Sequence, residues 1–103
     1  PVRERRRLAM SGIVVAALML GKKGEVIGEP DCIIDGVPFE TDAGDSMEDV
    51  VLDAVDGTLE SIPPARRKDV ELVRDAVRRA VRAAVAQEWG KKPVVKVIVT
   101  RVG

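Results

Sequence analysis

The sequence of 103 residues contains no histidine and no tyrosine, and it has a single cysteine, a single tryptophan and a single phenylalanine. Without histidine, the chain cannot form a histidine general base, a Ser-His or Cys-His nucleophile pair, or the His-rich zinc site of many hydrolases. The lone Cys32 cannot form an internal disulfide, which is typical of proteins from a reducing cytoplasm. We therefore expect a cytoplasmic chain that performs no catalysis by itself and holds no cofactor.

The chain also lacks a net charge, because 17 lysines and arginines balance 17 aspartates and glutamates. No global field attracts a polyanion, so any RNA binding would have to use a local patch. The scarcity of aromatic residues leaves few platforms on which nucleobases could stack. The length allows one domain with a single core, and the composition predicts that this core is aliphatic.

The most distinctive stretch is "RERRRLAMSGIVVAALML", in which four arginines are followed closely by eight uninterrupted apolar residues at positions 13–20. A membrane span needs about 20 apolar residues, and no small-residue cleavage pattern follows as it would after a signal peptide. The next residues, "GKKG", are typical of a hairpin turn. We predict a buried strand at 13–20 and no membrane association. Since the chain starts at Pro1 without an initiator methionine, we expect it to be part of a longer protein.

The remaining pattern predicts a second strand at 25–34, with Pro30 placing it at a sheet edge or in a bulge. A first helix begins at Ser46, whose side chain can accept from the third helical amide, and it frays near Gly57 before Pro63-Pro64. A second helix runs from about Ala65 to about residue 89, and positions 94–102 alternate as a final strand. The predicted class is α+β, a two-layer sandwich of order β-β-α-α-β with two helices on one face of a three-stranded sheet.

The first strand is apolar on both sides, since one set of alternating positions is 13, 15, 17 and 19 and the other is 14, 16, 18 and 20. Two helices can cover only one side, so the other would be an exposed apolar patch unless a second copy or another domain docks there. The alternative is a shallow face partly covered by residues 3–10. The predicted self-association or docking face comprises Val14, Ala16, Leu18, Leu20 and Ile98.

Charged residues provide weaker candidates. An acidic group from Glu40 to Asp49 could hold Mg²⁺ or Ca²⁺, but it lacks the spacing of a calcium loop. Cys32 has no identifiable basic partner and is expected to be a small core residue. Trp89 could anchor an interface or cap the core edge. Arginines in the N-terminal arm and on helix two could contact RNA phosphates, although Glu71 and Asp75 interleave with those of the helix; the candidates are Arg3, Arg5, Arg6, Arg7, Arg67, Arg74 and Arg78.

The chain contains three distinctive stretches, "RERRRLAMSGIVVAALML", "GEVIGEPDCIIDG" and "GKKPVVKVIVTRV". Together they resemble the C-terminal domain of the ribonuclease J family, the bacterial β-CASP metallo-β-lactamase ribonucleases. "RERRRLAMSGIVVAALML" is similar to the family's arginine-rich lead-in, glycine and apolar strand. "GEVIGEPDCIIDG" is similar to its Gly-Pro-x-Ile-Ile stretch, and "GKKPVVKVIVTRV" to its basic-Pro-apolar final strand. The resemblance implies that residues 1–10 end an interdomain linker and that residues 11–103 form an accessory domain.

The resemblance further implies a parent enzyme that degrades and trims RNA, 5′-to-3′ and internally, in mRNA decay and rRNA maturation. The family's catalytic histidines and aspartates hold two metal ions (zinc, or manganese or magnesium), and none of them maps onto this chain, which has no H-x-H-x-D-H motif. The implied role is oligomerisation, or docking to the catalytic portion of the parent. The alternative is an RNA-binding module that uses the N-terminal arm and helix two.

Overall fold

The computed structural model describes residues 12–102, which form a three-stranded sheet covered on one side by two α-helices. The predicted α+β class and element order are therefore confirmed. The elements are β1 (Ile13–Gly21), β2 (Val26–Asp35), α1 (Met47–Ser61), a 3₁₀ turn (Arg66–Lys68), α2 (Val70–Trp89) and β3 (Val94–Val102).

The sheet has β1 at its centre, in the order β2-β1-β3. β2 pairs antiparallel with β1 through the predicted hairpin, and β3 returns to pair parallel with β1 along its whole length. As the sequence predicts, β2 is an edge strand, and the ladder is irregular between Ala17 and Met19, opposite the segment that contains Pro30. Proline has no amide hydrogen to donate to a β-ladder. At this position the ladder is already irregular, so Pro30 interrupts no regular hydrogen bond between β1 and β2.

The hairpin turn depends on Gly24, whose amide donates to the Gly21 carbonyl at 3.0 Å. Its φ of 83° lies in the left-handed region. A Cβ at this position would also come within 2.4 Å of the Pro64 carbonyl oxygen. Glycine is therefore required twice, once for the backbone angle and once for the close contact between the hairpin and the segment that joins the two helices.

α1 differs in two respects from the prediction. The side chain of Ser46 makes no capping bond; the first helical amide, from Met47, instead donates to the Phe39 carbonyl at 2.7 Å. Gly57 does not end the helix, which continues to Ser61. Nothing lies within 4 Å of a Cβ built on Gly57, so this glycine faces solvent and its cost of about 1 kcal/mol is outweighed by packing.

α2 begins five residues later than predicted. Asp69 caps it by accepting from the Leu72 amide at 3.2 Å, and the residues before it form the separate 3₁₀ turn. An aspartate at this position offers the first turn a better acceptor than Ala65 does. The predicted end is correct: Gly90 caps the helix, and its amide donates to the Ala86 carbonyl at 2.8 Å.

The core is aliphatic, as the composition predicts, and lies between the sheet and the helices. α1 packs over β2, and α2 packs over β3. Each helix contributes residues spaced four apart, which form one continuous stripe. The lone phenylalanine takes no part, because Phe39 is 75% exposed. The residues that are fully or almost fully buried include Val14, Ala16, Leu18 and Leu20 of β1, Met47, Val51, Val55 and Leu59 of α1, and Val73, Val77, Val81 and Val85 of α2.

Candidate docking face

The side of the sheet that faces away from the helices, which we call the open face, is built from side chains that the strand register aligns in rows. One row holds Ile33, Val15 and Lys96, from β2, β1 and β3 respectively. Paired residues on neighbouring strands point to the same side of a sheet, so the rows can be assigned from the register. The full face comprises Ile13, Val15, Ala17 and Met19 of β1, Ile27, Asp31, Ile33 and Asp35 of β2, and Val94, Lys96, Ile98, Thr100 and Val102 of β3.

The open face exposes large apolar side chains. Met19 is 40% exposed, Ile33 68%, Ile98 54% and Val102 42%. Single exposed apolar residues are ordinary on soluble domains, but these four lie on the same side of one small sheet. Several large apolar side chains exposed on one face are typical of a surface that another protein covers.

The predicted docking face must be corrected at four of its five positions. Val14 and Ala16 are fully buried, Leu18 is 3% exposed and Leu20 is 1% exposed, all against the helices. Only Ile98 lies where the prediction placed it. The alternation of β1 shows that both of its sides are apolar, but it cannot show which side the helices cover. One apolar side is left uncovered by the helices, as predicted, and the residues that form it are those of the opposite set.

Three of the four arginines of α2 pair with carboxylates on the same helix. Arg74 pairs with Glu71, and Asp75 accepts from Arg78 at 2.5 Å and from Arg79 at 3.1 Å. These are the i,i+3 and i,i+4 pairs that the interleaved carboxylates predict. Paired side chains of this kind are less available to phosphate groups.

Arg67 is partly buried rather than free in solvent. Its Cβ lies beside the hairpin turn at Gly24, and its Nε is buried without a hydrogen-bond partner among residues 12–102. A side chain packed in this way is poorly placed to follow an RNA backbone. The predicted phosphate contacts of the arm, Arg3, Arg5, Arg6 and Arg7, and the possibility that the arm covers part of the sheet, lie outside the described residues.

The charges are segregated across the domain, although the chain as a whole is neutral. Residues 25–65 contain twelve carboxylates and no lysine or arginine, whereas residues 66–102 contain eleven lysines and arginines and four carboxylates. The first segment forms β2 and α1, and the second forms α2 and β3. β2 and β3 are opposite edges of the sheet. The edge formed by β2 and α1 is acidic, and the edge formed by α2 and β3 is basic, since residues 70–102 contain eight lysines and arginines and three carboxylates. The other three cations belong to the 3₁₀ turn, where Arg67 lies beside the hairpin.

The chain matches the family model of the ribonuclease J C-terminal domain over residues 1–102. A similar curated protein is the ribonuclease J of Sinorhizobium meliloti, which is 48% identical over 99 residues. The chain belongs to the ribonuclease J family. The match covers 96% of this chain but only 18% of that relative, so the chain corresponds to the C-terminal domain of a ribonuclease J and spans less than a fifth of the relative's length.

The metal ions implied by the ribonuclease J family do not fit this domain. The chain has no histidine, and among residues 12–102 there is no group of three His, Cys, Asp or Glu side chains that could hold a metal ion. The acidic residues of the loop before α1 and of its first turn are therefore spread over the surface rather than converging on one point. No helix within the described part of the chain is long and apolar enough to span a membrane.

Cys32 and Trp89 both contribute to the core of this ribonuclease J domain. Cys32 pairs with Ala16 and points toward the helices, where burial, and then the carboxylates of Glu48, Asp31 and Asp49, raise the pKa of its thiol to about 11. The thiol therefore stays protonated at neutral pH, which makes it a poor nucleophile. Trp89 packs against the core edge, and Lys91 Nζ lies 5.6 Å from the centroid of its ring.

Proposed function

We propose that this chain is a non-catalytic assembly domain of a ribonuclease J-type enzyme, and that its open face binds a second copy of the domain. The observation that carries the proposal is the open face itself: Met19, Ile33, Ile98 and Val102 are exposed apolar side chains on one side of a sheet whose other side is covered by helices. Burial of apolar surface is the main force that drives stable association between proteins.

The parent enzyme is proposed to hydrolyse RNA, because the similar protein is a ribonuclease J. The finer roles, 5′-to-3′ and internal cleavage in mRNA decay and rRNA maturation in the cytoplasm, follow from the family resemblance and are part of the same proposal. Metal-dependent chemistry belongs to the catalytic portion of the parent. The proposal assigns this domain no catalytic histidine, because the chain has none, and no catalytic thiolate, because burial raises the pKa of the Cys32 thiol.

Sedimentation velocity of the 103-residue chain from low to high micromolar concentration tests the assembly role. We expect a reversible monomer–dimer equilibrium. Ile33→Gln and Ile98→Gln should each raise the dissociation constant roughly tenfold or more, because a symmetric dimer loses the buried side chain twice. The matched control is Phe39→Gln, which removes a side chain of similar exposure in the loop between β2 and α1 and should leave the constant unchanged.

A monomer at every concentration would overturn self-association. The other occupant considered for the open face is the catalytic portion of the parent chain. In that case the full-length enzyme would protect Ile33 and Ile98 from solvent while the isolated domain stayed monomeric.

A second candidate function is RNA binding by the basic edge together with the N-terminal arm. The observation in its favour is the excess of cations in residues 66–102. Phosphate contacts release counterions, so the affinity for single-stranded RNA should fall steeply with salt. A gel shift at low salt checks this, and the absence of a complex there would rule the function out.

A further inference from the structure

The charge segregation and the row structure of the open face together determine how two copies can pack. When two sheets stack face to face, their strands run either roughly aligned or roughly perpendicular, and the aligned class is the common one for sandwiches. In an aligned symmetric dimer, the two-fold axis lies between the sheets and runs either across the strands or along them. The two choices place different strands of the partner above β2.

An axis across the strands places β2 above β2 of the partner. Asp31 and Asp35 then face the same two carboxylates of the other copy, and the two acidic edges coincide. Like charges that face each other across an interface oppose association. The apolar rows would still meet, but electrostatics would act against this arrangement.

An axis along the strands places β2 above β3 of the partner, and the acidic edge of each copy meets the basic edge of the other. The register is retained, so the row of Ile33, Val15 and Lys96 lies above the same row of the partner in reverse order. Val15 meets Val15 near the axis, and Lys96 lies above the partner's Ile33. Asp31 and Asp35 are two residues to either side of Ile33, roughly 7 Å along the strand, which is within reach of a lysine side chain.

We propose that the domain forms a face-to-face dimer whose two-fold axis runs along the strands, with Lys96 of each copy between Asp31 and Asp35 of the other. This inference rests on the proposed self-association and specifies its geometry. Within residues 12–102, Lys96, Asp31 and Asp35 have no ion-pair partner in their own chain. Asp31 Oδ1 also accepts from the Cys32 amide at 2.8 Å. In the proposed dimer, each contact between Lys96 and the two carboxylates occurs twice.

The size of the face indicates that the isolated domain associates weakly. Three strands about 4.8 Å apart and about 30 Å long present roughly 450 Å², whereas a stable interface buries about 800 Å² on each partner. At this size, the charged contacts at the rim have a measurable influence on the equilibrium. We therefore expect the dissociation constant to respond to salt and to charge reversal.

Charge reversal in the 103-residue chain tests the geometry by sedimentation velocity. Lys96→Glu should weaken the dimer about tenfold, and the double substitution Asp31→Lys with Asp35→Lys should do the same. The chain that carries all three changes has complementary charges again and should recover most of the affinity. The control is Lys68→Glu, the same change of charge at an exposed site in the 3₁₀ turn on the helical side, which should leave the constant within about twofold of the original.

The outcomes separate the geometry from the self-association on which it rests. Under the proposed axis, raising the salt weakens the dimer, and so does Lys96→Gln. A dimer that still depends on Ile33 and Ile98, but that is strengthened by salt or by Lys96→Gln, would overturn this geometry and leave self-association intact. A chain that is monomeric throughout would overturn both.

Discussion

The two sides of β1 are equally apolar in sequence, but the fold buries one side beneath the helices and leaves the other partly exposed to solvent. Leu20 is 1% exposed beneath the helices, whereas its neighbour Met19 is 40% exposed on the open face. The residues of β1 do not determine which side is buried. The positions of the charged residues on the neighbouring strands do. Asp31, Asp35 and Lys96 all point to the open face, so the helices cover the side on which β2 and β3 place Cys32, Ile34, Val95 and Val97. The covered side forms the core, and the open side is the surface through which we propose that the domain associates.

The largest effect that separates the two sides is a truncation on β1. Leu20→Ala should lower the free energy of unfolding by about 2 to 5 kcal/mol, because it removes buried methyl groups and leaves a cavity. Met19→Ala, one residue away on the open side, should change it by less than about 1 kcal/mol. Urea denaturation followed by circular dichroism measures both. Equal losses would mean that both sides of β1 are part of the stabilising core.

A second contrast concerns the contact between the hairpin and the helical layer. Gly24→Ala should cost about 2 to 3 kcal/mol, since it adds a Cβ beside the Pro64 carbonyl to a left-handed backbone. Gly44→Ala provides the control: it has a similar φ of 88° but nothing within 4 Å, so it should cost about 1 to 2 kcal/mol from the backbone alone. If the two losses are the same, the hairpin does not pack tightly against the segment between the helices.

The helix caps give a smaller effect within the covering layer. Asp69→Ala should cost about 1 kcal/mol, because it removes the acceptor of the Leu72 amide. Ser46→Ala should cost less than about 0.5 kcal/mol, because the Ser46 side chain makes no capping bond. Thermal unfolding of the two variants measures the difference. A larger loss at Ser46 would show that its hydroxyl caps α1 after all.

The smallest effect is expected on the solvent side of α2. Arg74→Ala should change the free energy of unfolding by less than about 0.5 kcal/mol, since its pair with Glu71 is exposed and screened. It should also leave the dimer unchanged, because α2 lies on the far side of the sheet from the open face. Urea denaturation together with sedimentation velocity checks both expectations, and a weaker dimer would place α2 in the interface.

Much of the fold follows from local patterns in the sequence. The apolar run of β1, the "GKKG" turn, the alternation of β3 and the glycine after Trp89 each set an element bound within one residue of the structure. Pro30 correctly indicated an edge strand with an irregular ladder. Each of these patterns involves residues that are close together in the chain, so it can be recognised without knowing the tertiary contacts.

Two of the errors were local, the late start of α2 at the Asp69 cap and the continuation of α1 through Gly57. The others concern interactions that the local sequence does not show. The cap of α1 is the Phe39 carbonyl, a backbone group with no signature in the sequence. The assignment of the docking face to Val14, Ala16, Leu18 and Leu20 failed because it needs the register of β1 with both neighbours. The charged residues of β2 and β3 could have predicted the correct side. Asp31 and Asp35 alternate with the residues beside Ile33, and Lys96 is two residues from Ile98, so all of these side chains point to one side of the sheet. Charged side chains do not face an aliphatic core without partners, so that side had to be the open one.

Methyl NMR of the 103-residue chain at increasing concentration tests the central claim most directly. The account predicts that the methyl resonances of Ile33, Ile98 and Val15 shift or broaden together as the dimer forms. Those of Val14, Val77 and Val81, which lie beneath the helices, should stay unchanged. Shifts confined to the helical side, or no shift at any concentration, would contradict the assignment of association to the open face.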